Sequence, residues 1–96
     1  MSGELESGLA VVRRVVSAIT PLTLSAANFH RMGLIIHNDS TSVLYVKFGS
    51  GASATDFTHR MTAQASLEHR SGRVYRGIIT GIWETADGAA QVTELL

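Results

Sequence analysis

The chain has 96 residues, a length that fits one small domain and excludes two. Apolar residues make up 45% of the sequence and charged residues 17%, so we expect a folded chain and not a disordered one. Eight basic residues balance eight acidic ones, and with zero formal net charge nucleic acid is not expected as a partner.

The N-terminal residues carry no targeting or membrane signal. Residues 1–8 contain Glu4 and Glu6 and no basic residue, and the longest unbroken apolar run in the chain has four residues, as at 9–12. A membrane-spanning helix needs about 20 apolar residues, so no membrane association is expected. We expect a soluble protein that is made in the cytosol.

Residues 9–20 fit two kinds of secondary structure. Four valines and one isoleucine would fall in one arc of a helix, but this density of β-branched residues favours a strand. In a strand, the adjacent Arg13 and Arg14 point to opposite faces, as suits an edge or interface strand. We therefore predict an N-terminal arm or edge strand over residues 1–20, with Arg13 and Arg14 at an interface. A short N-terminal helix is the alternative.

Residues 21–96 show alternation of apolar side chains, which is typical of β-strands. Clusters of Gly, Ser, Asn and Asp separate the segments, and the single proline marks no linker. The pattern predicts one all-β domain, a small antiparallel β-sandwich or a jelly-roll-like fold, in which Gly81 leaves room for the Trp83 indole. The residues predicted to share a face are Met32, Leu34 and Ile36 in one segment, Leu44, Val46 and Phe48 in the next, Phe57, His59 and Met61 in a third, and Ile79 with Trp83 in a fourth.

The sequence contains residue types used in catalysis but no catalytic arrangement of them. His37, Asp39 and Ser40 lie within four consecutive positions, too close in sequence to converge as nucleophile, base and orienting group, and we interpret them as a turn. The segment GSGAS at 49–53 is followed by none of the Lys-Ser or Lys-Thr pairs of a phosphate-binding loop, so it is also read as a turn. No enzyme activity, no catalytic residue and no cofactor are expected.

Metal binding is not expected either. The chain has no cysteine, and its histidines, at 30, 37, 59 and 69, show none of the short spacings of metal ligands. His59 lies on the predicted packing side of its strand, where a histidine without a metal is more common.

Two aromatic residues are candidates for contact with a partner. Tyr45 and Trp83 could form a stacking platform for a sugar, but a chain with six aromatic residues needs most of them for packing. We expect Trp83 in the core or at a subunit interface. Tyr45 and Trp83 are interface candidates if their faces are exposed.

Several short motifs occur in a fixed order along residues 21–96. They are RMGLIIHNDS at 31–40, LYVKFG at 44–49, AS at 52–53, YRGIITGIWE at 75–84, DG at 87–88 and VTE at 92–94. Together they resemble a family of small structural proteins encoded by tailed bacteriophages and prophages. The resemblance implies a β-sandwich of the virus particle, a capsid decoration (cement) protein, with no catalytic residues to carry over.

From the pattern and the resemblance together, we predict a non-enzymatic virion protein. It is expected to be made in the host bacterial cytoplasm and to bind the major capsid protein. A domain of this size buries only about 65% of the surface of its unfolded chain, so oligomerisation, with a homotrimer expected, would add buried area. Two alternatives stay open. One is a head-to-tail connector, collar or fibre-base protein, and the other is a carbohydrate-binding β-sandwich module with Trp83 or Tyr45 exposed.

Overall fold

The structure, a computed structural model, describes residues 9–70 and 74–96. These residues form β-strands and no helix, so the predicted all-β fold is confirmed and the alternative of a helix within residues 9–20 is wrong. No helix that could span a membrane occurs in the described part. The strands are β1 (Ala10–Val16), β2 (Leu22–Ser25), β3 (Gly33–Asp39), β4 (Leu44–Phe48), β5 (His59–Met61), β6 (Ser66–His69), β7 (Ile79–Trp83) and β8 (Ala89–Leu95).

The strands form two antiparallel sheets of four strands each. The first sheet has the order β1-β8-β3-β6 and the second has the order β2-β7-β4-β5. Strands β1 and β2 are therefore edge strands, and so are β6 and β5. The sheets form a small β-sandwich with two lateral sides, one between β1 and β2 and the other between β5 and β6.

The core lies between the sheets, where alternate residues of each strand point. The alternation predicted for β3 and β4 is observed, because Leu34 and Ile36 are buried and Leu44 and Val46 face them from the other sheet. The buried core residues are Leu24, Leu34, Ile36, Leu44, Val46, Met61, Ile79, Trp83, Ala90 and Val92.

Two residues predicted to share the buried faces lie elsewhere. Met32 precedes β3 and its side chain is exposed, while Phe57 precedes β5 and packs its ring against Tyr45, with 5.0 Å between the ring centroids. Both lie just outside their strands, so the two-residue period does not extend to them. Gly81 makes room for Leu24 and not for the indole, because a Cβ at Gly81 would lie 2.7 Å from Leu24 Cδ1.

The segment His37 to Ser40 is only partly a turn. Strand β3 continues through Asp39, and Asn38 is fully buried within it. The Asn38 amide nitrogen donates to three backbone carbonyl oxygens, and its Oδ1 accepts from Ser40 Oγ at 2.7 Å and from Trp83 Nε1 at 3.2 Å. A buried amide whose donors and acceptor are all used stabilises the sandwich at the point where the chain crosses from β3 to β4.

Candidate interaction site

Strand β1 forms an open edge of the first sheet. All seven of its residues pair with β8, from Ala10 opposite Leu95 to Val16 opposite Ala89. Among residues 9–70 and 74–96, β8 is the one strand that pairs with β1, so in this part of the chain the backbone groups on the outer side of β1 have no strand partner. An edge of this kind is a template for contact with another chain. Residues 10–16 are thus an edge strand, one of the two structures expected for the N-terminal 20 residues.

The apolar side chains of this edge are unusually exposed. Val12 and Val16 point away from the core and are 63% and 70% exposed, and Leu9 and Ile19 at the two ends of the segment are exposed to a similar extent. We call these four residues the β1 surface. Exposed valines on the outer face of an edge strand bury little apolar area within their own chain. They are therefore available for an intermolecular contact.

Arg13 and Arg14 point to opposite faces of β1, as the sequence predicts. Arg13 turns inward, where its NH2 group donates to Glu94 Oε1 at 2.8 Å and to Ser25 Oγ at 3.0 Å. Arg14 turns outward and donates to Asp39 Oδ2 at 3.0 Å, and this hydrogen bond lowers the pKa of Asp39. Both arginines therefore already have carboxylate partners within the chain. Each guanidinium is still about half exposed.

A buried ion-pair network lies behind Arg13. Glu94 Oε2 accepts from Arg31 Nε at 2.9 Å, and both side chains are almost wholly buried. Burial raises the pKa of Glu94, but the hydrogen bonds from Arg13 and Arg31 outweigh it, and the pKa lies below its usual value. The other acceptors of the Arg31 guanidinium are Ser25 Oγ and the carbonyl oxygens of Ala26, Tyr75 and Gly77.

A groove of about 490 Å³ opens beside this network, on the lateral side between β1 and β2. Its polar lining includes Arg13, Ser25 and Glu94, and its apolar lining includes Val15 and Leu24. The groove is continuous with the open edge because Arg13 and Val15 belong to β1. One side of the sandwich thus combines an unpaired strand edge, exposed valines and a concave surface.

Tyr45 and Trp83, interface candidates on the condition that their faces are exposed, are both buried, and Trp83 lies in the core, one of the two places expected for it. Trp83 is 1% exposed because its indole fills the core and its Nε1 bonds to Asn38. Tyr45 lies on the outer face of β4 but is only 7% exposed, since Phe57 covers its ring and its hydroxyl donates to Glu84 Oε2. Neither ring can serve as the exposed platform that a carbohydrate-binding module requires.

The opposite lateral side is closed by aromatic rings. His59 on β5 and His69 on β6 approach each other with 3.3 Å between their Nε2 atoms, and the Phe48 ring packs edge-on against both. Tyr75 stacks on Phe48 with ring centroids 5.0 Å apart. Burial, and after it electrostatic repulsion from the His69 ring, lowers the pKa of His59. His59 faces inward as predicted.

Neither the Arg31–Glu94 pair nor the His59–His69 pair is predicted from the sequence. Within the described ranges, no three His, Asp or Glu side chains come together in a way that could hold a metal ion. The histidine pair is a set of two, brought together from different sheets. Its only sequence signal is an inward-facing histidine in each of two short segments.

Comparison of the chain with protein-family models, with curated proteins and with solved structures gives no match.

Proposed function

We propose that this protein is a non-enzymatic structural protein of a tailed-bacteriophage virion that decorates and stabilises the capsid shell by binding the major capsid protein. The observation that carries the proposal is the β1 surface, an open strand edge with exposed valines, leucine and isoleucine. The resemblance of the motifs in residues 21–96 to those of small phage structural proteins is the basis for the proposed partner.

The β1 surface has the properties of a contact that forms on assembly. Burying one of its apolar side chains against a partner would contribute roughly 1 to 2 kcal/mol before the entropic cost of association, because each is about two-thirds exposed in the single chain. The open edge of β1 adds backbone hydrogen bonds to a partner strand. The half-exposed guanidinium of Arg14 provides a polar group at the border of this contact.

We further propose that the protein binds the shell as a homotrimer. A cyclic arrangement allows each subunit to cover an edge that its neighbour exposes. In this assembly β1 of one subunit lies against a different edge strand of the next, because a threefold interface joins two unlike surfaces. Light scattering after size-exclusion chromatography should then give three times the mass of the chain.

Stabilisation follows from linkage. A protein that binds the assembled shell and not the dissociated capsid subunits stabilises the shell by RT ln(1 + [L]/Kd), about 2.7 kcal/mol per site at a hundredfold excess over Kd. Because the shell repeats the same site many times, the increments add up to a large resistance to heat and internal pressure.

The experiment compares shells that lack this protein with shells to which it is added back. Heating both and following genome release should show a higher release temperature with the protein. Val12→Lys and Val16→Lys should abolish both co-sedimentation with the shells and the stabilisation, because lysine on an exposed edge opposes strand pairing.

Phe29→Lys is the matched control, since Phe29 is exposed and apolar but lies outside the β1 surface. It should bind like the wild-type chain. Equal release temperatures with and without the wild-type protein would refute a stabilising role. Labelling confined to one vertex would favour the connector, collar or fibre-base alternative.

A further inference from the structure

The lateral side between β5 and β6 holds a pair of histidines whose geometry is unusual for simple packing. The Nε2 atoms of His59 and His69 lie 3.3 Å apart, while the ring centroids lie 5.4 Å apart with 60° between the planes. The nitrogen atoms are therefore closer together than the rings, and the two rings converge through their Nε2 edges. Neither ring stacks on the other.

In the absence of a metal, the 3.3 Å separation allows one ring N–H to donate a long hydrogen bond to the bare nitrogen of the other ring. The same separation also fits two nitrogens that share one metal ion. Two imidazole nitrogens bound at about 2.0 to 2.1 Å to one tetrahedral Zn²⁺ lie about 3.3 to 3.4 Å apart.

We propose that His59 and His69 form a two-histidine site for a divalent transition metal of the Zn²⁺ class, and that the bound ion joins the two sheets. Imidazole nitrogen is a preferred ligand of Zn²⁺, Ni²⁺ and Cu²⁺ and a poor one for Mg²⁺ and Ca²⁺. The site goes beyond the proposed role in the virion and does not depend on it.

The fold holds the two rings in this arrangement. His59 is opposite Val46 in the β5–β4 pair, and His69 is opposite Leu34 in the β6–β3 pair, so each ligand is anchored by a different sheet. Phe48 contacts both rings, with centroid distances of 5.7 Å to His59 and 5.3 Å to His69. Because the ligands are positioned before the metal binds, little ordering is required on binding.

A bound ion would link two short edge strands. Strand β5 has three residues and β6 has four, and among the described strands each pairs with one neighbour. A metal bridge between them adds a link between the two sheets to the ring contacts on this lateral side. Both histidines are only partly buried, so an ion can enter from solvent, and water completes the coordination. With two protein ligands instead of the four of a structural zinc site, the ion is expected to bind reversibly.

The test is a titration of the full chain, without an affinity tag and freed of metal by chelation, with ZnCl2 at pH 7.5. With Zn²⁺ at about five times its dissociation constant, the melting temperature should rise by about 4 to 8 °C. MgCl2 should have no effect. In His59→Asn and His69→Asn, the rise should be lost. His37→Asn should retain it, because His37 lies on the outer face of β3 and contacts Ser66 and Gln64.

A second measurement does not depend on the variants folding. In the 15N-labelled wild-type chain, Zn²⁺ should shift the Nε2 resonances of His59 and His69 together and leave those of His30 and His37 in place. Absence of a thermal shift and of an Nε2 shift at millimolar Zn²⁺ would overturn the proposal. So would an Nε2 shift confined to His30 or His37, or an unchanged thermal shift in His59→Asn and His69→Asn.

Discussion

Arg31 donates through Nε to Glu94 Oε2 at 2.9 Å, and the two residues are 63 positions apart in the sequence. The Arg31 guanidinium is fully buried and all five of its N–H donors are used, one by Glu94, one by Ser25 and three by backbone carbonyl oxygens. The pair therefore fastens β8 to the segments before β3 and before β7. It holds the inner side of the groove in place, and Arg13 on β1 joins it through the other oxygen of Glu94.

Removing Arg31 should destabilise the fold strongly. Arg31→Met leaves Glu94 with its inner partner missing and three carbonyl acceptors unsatisfied, and loss of one partner of a buried ion pair typically costs about 3 to 5 kcal/mol. The measurement is the free energy of unfolding from urea titration. Arg14→Met is the matched control, because the Arg14–Asp39 pair is exposed and exposed pairs contribute little. Equal losses in the two variants would contradict this role for Arg31.

The pH dependence of stability should report on Glu94. The pKa of Glu94 is lower in the folded chain than its usual value of 4.5, so the unfolded chain takes up the proton first as the pH falls. The stability from Glu94 is present above about pH 4.5 and is lost as the pH falls through the lower, folded-state pKa. Unfolding free energies measured from pH 7 to 3 should fall less steeply in Glu94→Gln. An identical slope in both proteins would show that Glu94 is not responsible.

Gly88 should tolerate no side chain. Its φ is +70°, and a Cβ there would collide with the backbone oxygen of Asp39 and with Ser40. Gly51 has a similar φ of +74° but open space around it. Gly51→Ala should lower the free energy of unfolding by about 1 to 2 kcal/mol, the cost of placing an alanine in a left-handed backbone conformation. Gly88→Ala should lower it by clearly more, because the β7–β8 turn must also move. Thermal unfolding of the two variants separates these contributions, and equal losses would exclude the collision.

Replacing Asn38 should destabilise the fold strongly, although Asn38 is a polar residue. Asn38→Ala removes the acceptor for Trp83 Nε1 and the donor for three backbone carbonyls, and the bonds to Trp83 and Met61 are fully buried. Buried groups left unsatisfied typically cost about 1 to 3 kcal/mol each. We expect a large drop in melting temperature and a changed Trp83 fluorescence spectrum. Unchanged fluorescence would show that the indole does not depend on this bond.

The part of the fold that follows from local periodicity could be predicted from the sequence. Leu34, Ile36, Leu44 and Val46 alternate as expected because a strand period of two depends only on neighbouring positions. Met32 and Phe57 are predicted on buried faces but lie outside their strands, because the position at which a strand ends depends on the adjoining turn and not on the two-residue period.

The contacts of the sites could not be predicted in the same way. Arg31 contacts Glu94 because β3 pairs with β8. His59 contacts His69 because β5 and β6 are edge strands of different sheets on the same lateral side of the sandwich. Strand order in the two sheets is a property of the whole chain. The partners of Tyr45 and Trp83 have the same origin, since Phe57 and Asn38 come from other segments, whereas the core position of Trp83 is one of the two places expected for it.

A cryo-electron microscopy reconstruction of the mature particle tests the decoration proposal most directly. The account predicts density for this sandwich at every equivalent position on the outer surface of the shell, arranged in threes, with the β1 surface against the major capsid protein or a neighbouring subunit. Density restricted to the vertex that carries the tail, or contacts made by other faces with Val12 and Val16 facing solvent, would contradict it.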